Sequence, residues 1–400
     1  MYMKRRDFLK SSLAASALLA ASKGMAGTTH QPIDNRKVSA LAFPEKKPLI
    51  TYSDRPPLLE SPRSTFVHEF TPNDEFFVRW HLPEIPKHND FDSYTIHING
   101  LVEKDTKLTI KDLKTKFEQV EVNAVLQCGG NSRSAFDPIA GGIQWGNGAM
   151  GCAKWKGVRL KDVLDYAGLK KNAHWIEFNG KDKAAYYKTP NFVREIELHE
   201  LDDNVIIAYE MNGEDLPYLN GFPIRLVMPG YYSDNWVKML SNITVSDKYK
   251  SLFFMDVAYR VPDNECECET PEKRAKKTKP ITHMNVKSII GYPVNNQKVY
   301  FHSHVVIRGV AFDSGYGIRK VEISLDGGKT WDEANLKADN GRYAYRAFYY
   351  PFKPMNYGKL KIMARATNNL GETQPFAHEI GWNHGGYKFN GIDEVTIEIV

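Results

Sequence analysis

The stretch Val125 to Phe136, VLQCGGNSRSAF, holds the residue types best suited to chemistry. Cys128 follows an apolar, strand-like run, two glycines follow it directly, and Arg133 stands five positions on. A strand end would deliver such a thiol into a tight loop beside a cation, and a nearby cation favours the thiolate that ligates a soft metal or attacks an electrophile. Gly129 and Gly130 permit backbone approaches that a Cβ would forbid. Taken alone, the stretch fits equally a cysteine that only packs, because cysteine is among the most buried residue types.

A second candidate is Glu75 to His81, EFFVRWH, a β-prone run in which period-two alternation places Arg79 and His81 on one face. That positive pair suits an anion, although a structural histidine beside a surface arginine is the plainer reading. Ala140 to Gly151 is rich in glycine and could wrap a ligand with backbone amides or serve as an ordinary connector.

The elements that must position these groups are strands at 94–102, 120–127, 175–178, 205–209 and 224–228. Short helices are predicted over 110–117 and, from the spacing of Val158, Leu160, Val163 and Leu164, over 158–166. Asn212-Gly213 and Asn220-Gly221 mark turns. After Pro262 the texture changes. Residues 263–280 are charged and read as an exposed linker, and beyond them short strands around 299–309, 319–325, 343–349, 359–366 and 394–400 imply an immunoglobulin-like sandwich. Asp326-Gly327-Gly328 signals a hairpin.

Four hundred residues, 42% of them hydrophobic and 12% aromatic, allow two or three domains with sizeable cores. The net charge of +5 is concentrated at the N-terminus, where Met1 to Gly27 carry five Lys/Arg against one acid. The remainder holds a net charge of about +1, which gives no reason to expect nucleic acid binding.

That leader has Arg5-Arg6 before Asp7-Phe8-Leu9-Lys10, an apolar run from Leu13 to Ala21, and small residues around Ala26. The run is too short to span a bilayer and resembles a twin-arginine signal, so a periplasmic protein exported already folded is expected, with no membrane span. In an oxidising compartment four cysteines would suggest two disulfides, yet Cys128 and Cys152 sit in segments that read as buried. Cys266 and Cys268 form a C-x-C in an acidic run, open to a local disulfide, a metal, or free thiols. The chain lacks C-x-x-C-H, so no covalently attached c-type haem is expected, and it lacks the P-loop, dinucleotide and zincin motifs.

Several separated motifs then agree in order from about residue 70 onward: FVRWHLP at 77–83, LQCGGN at 126–131 with Arg133, Trp145 with Gly148-Ala149 and Trp155, AYEMNG at 208–213, GFPIR at 221–225, PGY at 229–231, WVK at 236–238, SLDGGKTW at 324–331, and Trp382-Asn383. Together they resemble the sulfite oxidase family, nearest to bacterial periplasmic sulfite dehydrogenases. The resemblance implies an α+β chain: a twin-arginine signal (1–27), an extended N-terminal arm (28–65), a mixed α/β molybdenum-cofactor domain (66–262), a linker (263–280) and an immunoglobulin-like β-sandwich (281–400) suited to dimerisation.

It further implies a pterin-dithiolene molybdenum cofactor ligated by Cys128, a soft donor set that supports two-electron redox change. Arg79 and Arg133 would contact sulfite, with His81 and Trp145 lining the cavity. Tyr259, in preference to Tyr249, would be the active-site tyrosine. Lys238 and Arg194, with amides of the glycine-rich loop such as that of Gly148, are candidates for holding the cofactor, although the surroundings of Arg194 match poorly and fit a surface charge better. The implied activity is sulfite oxidation to sulfate, with electrons passed to a separate c-type cytochrome, the chain forming a homodimer or pairing with a cytochrome subunit. Competing readings are a molybdopterin reductase of a sulfoxide or another oxyanion, and a non-catalytic secreted β-sandwich binding protein. The chain departs from the vertebrate pattern after Trp382-Asn383, where it reads HGGYK in place of a motif with an arginine; either Lys388 supplies that charge or the third cation is absent. His302, His304 and His378 read as structural or exposed.

Overall fold

The computed structural model describes residues 43–86 and 93–400; the expected signal segment lies outside the described residues. Strands dominate. The chain enters through a three-stranded sheet of β1 (Ile50–Asp54), β2 (Pro57–Glu60) and β3 (Val78–Arg79). Residues 43–60 therefore depart from the expected arm laid over the surface: Leu58, Leu59 and Glu60 are buried, because β2 pairs on both sides.

The first large sheet has β4 (Thr95–Gly100), β5 (Thr106–Thr109), β8 (Trp175–Gly180), β9 (Val193–Glu197) and β13 (Leu240–Ser246) in the order β5-β4-β13-β8-β9. The second has β6 (Gln119–Gln127), β7 (Met150–Arg159), β10 (Ile206–Met211) and β11 (Glu214–Asp215) in the order β11-β10-β7-β6, with β12 (Arg225–Val227) also paired to β10. Helix α1 (Ile110–Lys116) starts at a capping box: the Thr109 hydroxyl accepts from the Asp112 amide at 3.0 Å, and the Asp112 carboxylate accepts from the Thr109 amide at 2.9 Å. Helix α2 (Leu160–Ala167) begins two residues later than expected, because Val158 and Arg159 still pair with β10. The glycine-rich run likewise becomes strand from Met150 onward. Gly157 is needed there, since a Cβ would lie 2.1 Å from the Ile207 carbonyl.

A short helix α3 (Phe253–Asp256) leads to a two-stranded ladder of β14 (Arg260–Pro262) and β15 (Thr278–Pro280). Between these strands Cys266 and Cys268 are joined in a disulfide. Two sheets follow and form the sandwich. One contains β16 (Lys287–Tyr292), β18 (Val305–Phe312), β21 (Asn335–Leu336) and β22 (Arg346–Phe352), ordered β16-β18-β22-β21. The other contains β17 (Lys298–Val299), β19 (Ile318–Ser324), β20 (Asp332–Glu333), β23 (Gly358–Asn368) and β24 (Asp393–Ile399), ordered β17-β24-β23-β19-β20. The hairpin at Asp326 joins β19 to β20, its carboxylate accepting from the Thr330 amide at 3.0 Å.

The sandwich has a core of its own around Ile307, Val321, Ile362 and Val395. Ile289, Val310, Phe312 and Tyr345 instead join the core of the first domain, so apolar packing runs across the boundary. Arg63 reinforces it with a buried ion pair to Asp393 at 2.6 Å. Among the described residues no helix is long and apolar enough to cross a membrane.

Candidate functional site

Strand β6 ends by handing Cys128 to a turn. The Cys128 amide donates to the Ala149 carbonyl at 2.9 Å, and the Asn131 amide returns to the Cys128 carbonyl at 2.9 Å. The thiol is buried, with 5% of the residue exposed. Burial pushes its pKa up, while the cations of Arg79 and Arg133 and the Gly130 amide oppose that shift. A buried thiol facing two guanidiniums is set up to exist as a thiolate once a metal takes it. Among the described residues no cluster of three or more His, Cys, Asp or Glu stands ready to hold a metal, so an ion at Cys128 would draw its other ligands from elsewhere.

Arg133 curls back over this turn. Its Nε donates to the Gly385 carbonyl at 2.8 Å and its Nη1 to the Ile143 carbonyl at 2.9 Å. A Cβ on Gly130 would fall 2.3 Å from its Nη2, and one on Gly386 would fall 2.6 Å from its Cγ, so the glycine after Gly129 exists to admit this guanidinium.

Arg79, at the end of β3, donates through Nη2 to the Tyr259 hydroxyl at 3.2 Å, and His81 Nε2 is hydrogen-bonded to the same hydroxyl. Only Val78 and Arg79 are strand, yet both expected partners reach one point. The His81 ring stacks on Phe192 with centroids 3.7 Å apart. Burial first, then Arg79, Lys238 and Arg194, hold its pKa well below the usual imidazole value, so the ring is neutral. Tyr259 sits in the left-handed region at φ 57° with its phenol pushed up by burial, and its ring lies 5.5 Å from that of Tyr387. Tyr249 is elsewhere, donating to Asp256 and 37% exposed.

Arg194 corrects the surface-charge reading. It is 1% exposed on β9 and lies 3.3 Å from the equally buried Asp234. It donates to Asn235 Oδ1 at 2.7 Å and to the Phe254 carbonyl. Burial lifts the Asp234 carboxyl to about 7 against the pull of Arg194. With a carboxylate already beside it, Arg194 is a poor holder of a phosphate.

Lys238 and Arg225 are two further cations of this region. Both line a cavity with Phe77, Arg79, His81, Phe192 and Trp236, and among the described residues neither has a carboxylate within ion-pair distance. Lys238 donates to the Arg79 carbonyl at 2.7 Å; burial, then Arg225, lower its pKa to about 7. Arg225 is lowered to about 9 by burial, and its Nε has no hydrogen-bond partner. A buried arginine with an orphaned donor and a part-buried lysine, beside the rings of Phe77, Phe192 and Trp236, suit a phosphate carried on a ring system, and so fit the phosphate of a pterin cofactor. Arg225 received no role from sequence alone, although it closes the GFPIR motif at 221–225.

Other expected residues stand apart. Trp145 packs edge-on against Tyr52 at 4.8 Å, behind the turn. Gly148 is not free to hold a cofactor, because its amide donates to Glu60 Oε1 at 3.0 Å and its carbonyl accepts from the Ser61 amide at 3.1 Å. Glu60, missed from sequence, also takes the Gly146 amide at 2.8 Å and so fixes the loop. The Lys388 ammonium lies 2.5 Å from Glu267, and it is the Lys388 amide that touches the turn, donating to the Gly129 carbonyl at 2.9 Å. Cys152 is packing: it is buried and pushed up to about 12.

Residues 81–254 match the oxidoreductase molybdopterin binding domain, and residues 278–399 match the Mo-co oxidoreductase dimerisation domain. The chain is 31% identical to sulfite oxidase of Arabidopsis thaliana over 369 residues, covering 86% of this chain and 92% of that protein. It is 31% identical to mitochondrial sulfite oxidase of Rattus norvegicus over 87% of this chain and 65% of the rat protein. The structure resembles the sulfane dehydrogenase SoxCD from Paracoccus pantotrophus with a TM-score of 0.73 at 24% identity, covering 94% of this chain and 95% of that one, a likeness of fold.

Proposed function

The chain belongs to the sulfite oxidase family of molybdopterin oxidoreductases, and from that premise we propose that it oxidises sulfite to sulfate with Cys128 as the protein ligand to molybdenum. The observation that carries the reading is the buried Cys128 thiol under the opposed influence of Arg79 and Arg133.

When bound, the molybdenum-pterin cofactor supplies two-electron oxygen-atom transfer. Lys238 and Arg225 would hold its phosphate, each charge-assisted contact contributing about 1.5–3 kcal/mol. Arg79 and Arg133 supply positive charge for a dianionic substrate in a site walled by Phe192 and Tyr387. The Tyr259 hydroxyl, kept protonated by burial, would give its one hydrogen to an oxygen at the reacting centre while it accepts from Arg79 and from the neutral His81 ring.

Electrons would leave singly to a separate c-type cytochrome. The twin-arginine-like leader supports export to the periplasm, and exchange of Arg5 and Arg6 for lysine should trap the protein in the cytoplasm. The match of the sandwich to a dimerisation domain supports pairing through that half.

The test is metal analysis of natively exported protein together with sulfite-dependent ferricyanide reduction. Stoichiometric molybdenum with sulfite turnover is expected. Stoichiometric molybdenum without it, but with reduction of a sulfoxide or nitrate, would replace this reading with the reductive one.

A further inference from the structure

A second cavity opens on the far side of Arg194 and has no part in the reaction above. Its volume is about 530 Å³, within the range of small-molecule sites. Aromatic rings form much of its wall: Trp175 and Tyr249 lie with centroids 5.0 Å apart, and Tyr231 lines it as well. Four carboxylates face it, from Glu195, Glu197, Glu200 and Asp256, against the guanidiniums of Arg194 and Arg260.

Three of these six groups already have close partners. Arg194 faces Asp234 at 3.3 Å, and Glu197 lies 2.9 Å from His199 Nδ1. The oxygens of Asp256 accept from Tyr249 and Ser251 at 2.5 Å each. Glu195 is different. It is 3% exposed; its Oε2 accepts from the Lys250 amide at 3.2 Å, and its Oε1 is buried with no hydrogen-bond partner. The Lys250 ammonium does not serve it, lying instead 2.9 Å from Glu177. A buried carboxylate oxygen without a donor is costly, and beside exposed aromatic faces it calls for a cation that brings an N–H.

We propose that this cavity is a binding site, separate from the Cys128 centre, for a small organic ammonium ion with an apolar body, held by the Glu195 carboxylate and the rings of Trp175, Tyr231 and Tyr249. The negative excess that suits such a cation disfavours sulfite, which separates the two sites by charge.

Titration calorimetry of the cofactor-loaded protein tests this with benzylammonium chloride and with benzyl alcohol, a neutral compound of nearly the same shape. Saturable binding of benzylammonium, about tenfold or more tighter than the alcohol, is expected from a desolvated charge-assisted contact plus cation–π attraction. Glu195→Gln keeps the size and the acceptor for Lys250, and should weaken the ion about tenfold while leaving the alcohol unchanged. Glu200→Gln, a milder change at the cavity wall, provides the same comparison should the first variant fold poorly. Equal affinity for the two compounds in the parent protein, or an unchanged ion affinity in Glu195→Gln, would overturn the proposal. Binding of polylysine without any response to benzylammonium would also overturn it, in favour of a lysine presented by a protein.

Discussion

Tyr259 and His81 share a hydrogen bond between the phenol oxygen and Nε2, and the same hydroxyl accepts from Nη2 of Arg79 at 3.2 Å. We expect Tyr259→Phe to lower turnover about ten- to hundredfold with molybdenum content unchanged, as loss of a hydrogen bond to a charged partner would. Steady-state kinetics beside metal analysis decides it, and an unchanged kcat would remove Tyr259 from the machinery.

Imidazole titration followed by nuclear magnetic resonance checks the electrostatics of the same group. Burial is the first cause of its low pKa and Arg79 the next. In the parent protein His81 should titrate well below the ordinary imidazole value. In Arg79→Gln, removal of a neighbouring cation favours the protonated ring, so its pKa should rise. A downward or absent shift would contradict the placement of Arg79 beside the ring.

Cys128→Ser tests the ligand. Lys238 and Arg225 are untouched by it, so the pterin should remain bound while sulfite turnover falls below a hundredth of the parent, about the loss expected when a thiolate ligand is replaced by a poorly ionising hydroxyl. Retained turnover would show that the metal is held by another group.

How legible was this site in the sequence? Cys128, Arg79, Arg133 and Lys238 could be named because each sits in a short run whose neighbours share its task, such as Gly130 making room for Arg133. Arg194 was named but read as a surface charge, and Asp234 and Asn235 were not named, because their meeting depends on β9 lying next to the turn at 233–235, a contact between segments about forty residues apart. Glu60 was hidden in the same way, its carboxylate closing on amides 86 and 88 residues later. Helix α1 was predicted over 110–117 and forms from Ile110 behind a capping box, whereas the start of β7 was masked by glycines that look like loop residues and in fact admit neighbouring backbone and Phe76. The sandwich was readable as a class, since strand alternation and the Asp326 turn are local signals, but β16, β20 and β21 were not among the strands read.

Lys238→Met should separate cofactor binding from folding. Cofactor occupancy should fall about tenfold or more, because a charge-assisted contact to the phosphate is lost. The cofactor-free protein should unfold at the same or a higher denaturant concentration, since desolvation of the Lys238 ammonium, with Arg225 beside it, outweighs the support of Asp182 and disfavours the fold. Chelatable molybdenum and urea titration provide the two readouts, and full occupancy in the variant would refute the role.

Gly148→Ala probes the loop that Glu60 fastens. Its new Cβ would lie 1.9 Å from the Ser61 carbonyl oxygen, a backbone atom that cannot rotate away. We expect a loss of about 1–3 kcal/mol in unfolding free energy, the usual size of an overpacking penalty. Unchanged stability would mean that β2 and the loop are less tightly joined than the Gly146 and Gly148 amides imply.

Lys287 gives the sandwich a pH-dependent hold on the cysteine turn. Its buried ammonium donates to Ser132 Oγ at 2.6 Å and to the Phe389 carbonyl at 3.0 Å, and burial lowers its pKa to about 7. Below that value folded and unfolded chains both carry the proton, and the penalty of the buried charge is at its full size. Between about 7 and the ordinary lysine value of 10.5 the unfolded chain binds the proton and the folded chain does not, so stability must rise with pH there, by at most about 1.4 kcal/mol per unit for one group. Other buried lysines, Lys46 and Lys238, are shifted in the same direction, so the contribution of Lys287 is read as a difference. Urea unfolding of the parent and of Lys287→Met at pH 7, 8 and 9 should show the parent gaining on the variant at each step. Parallel curves would place the Lys287 charge in contact with water, and its hold on Ser132 would then carry no pH dependence.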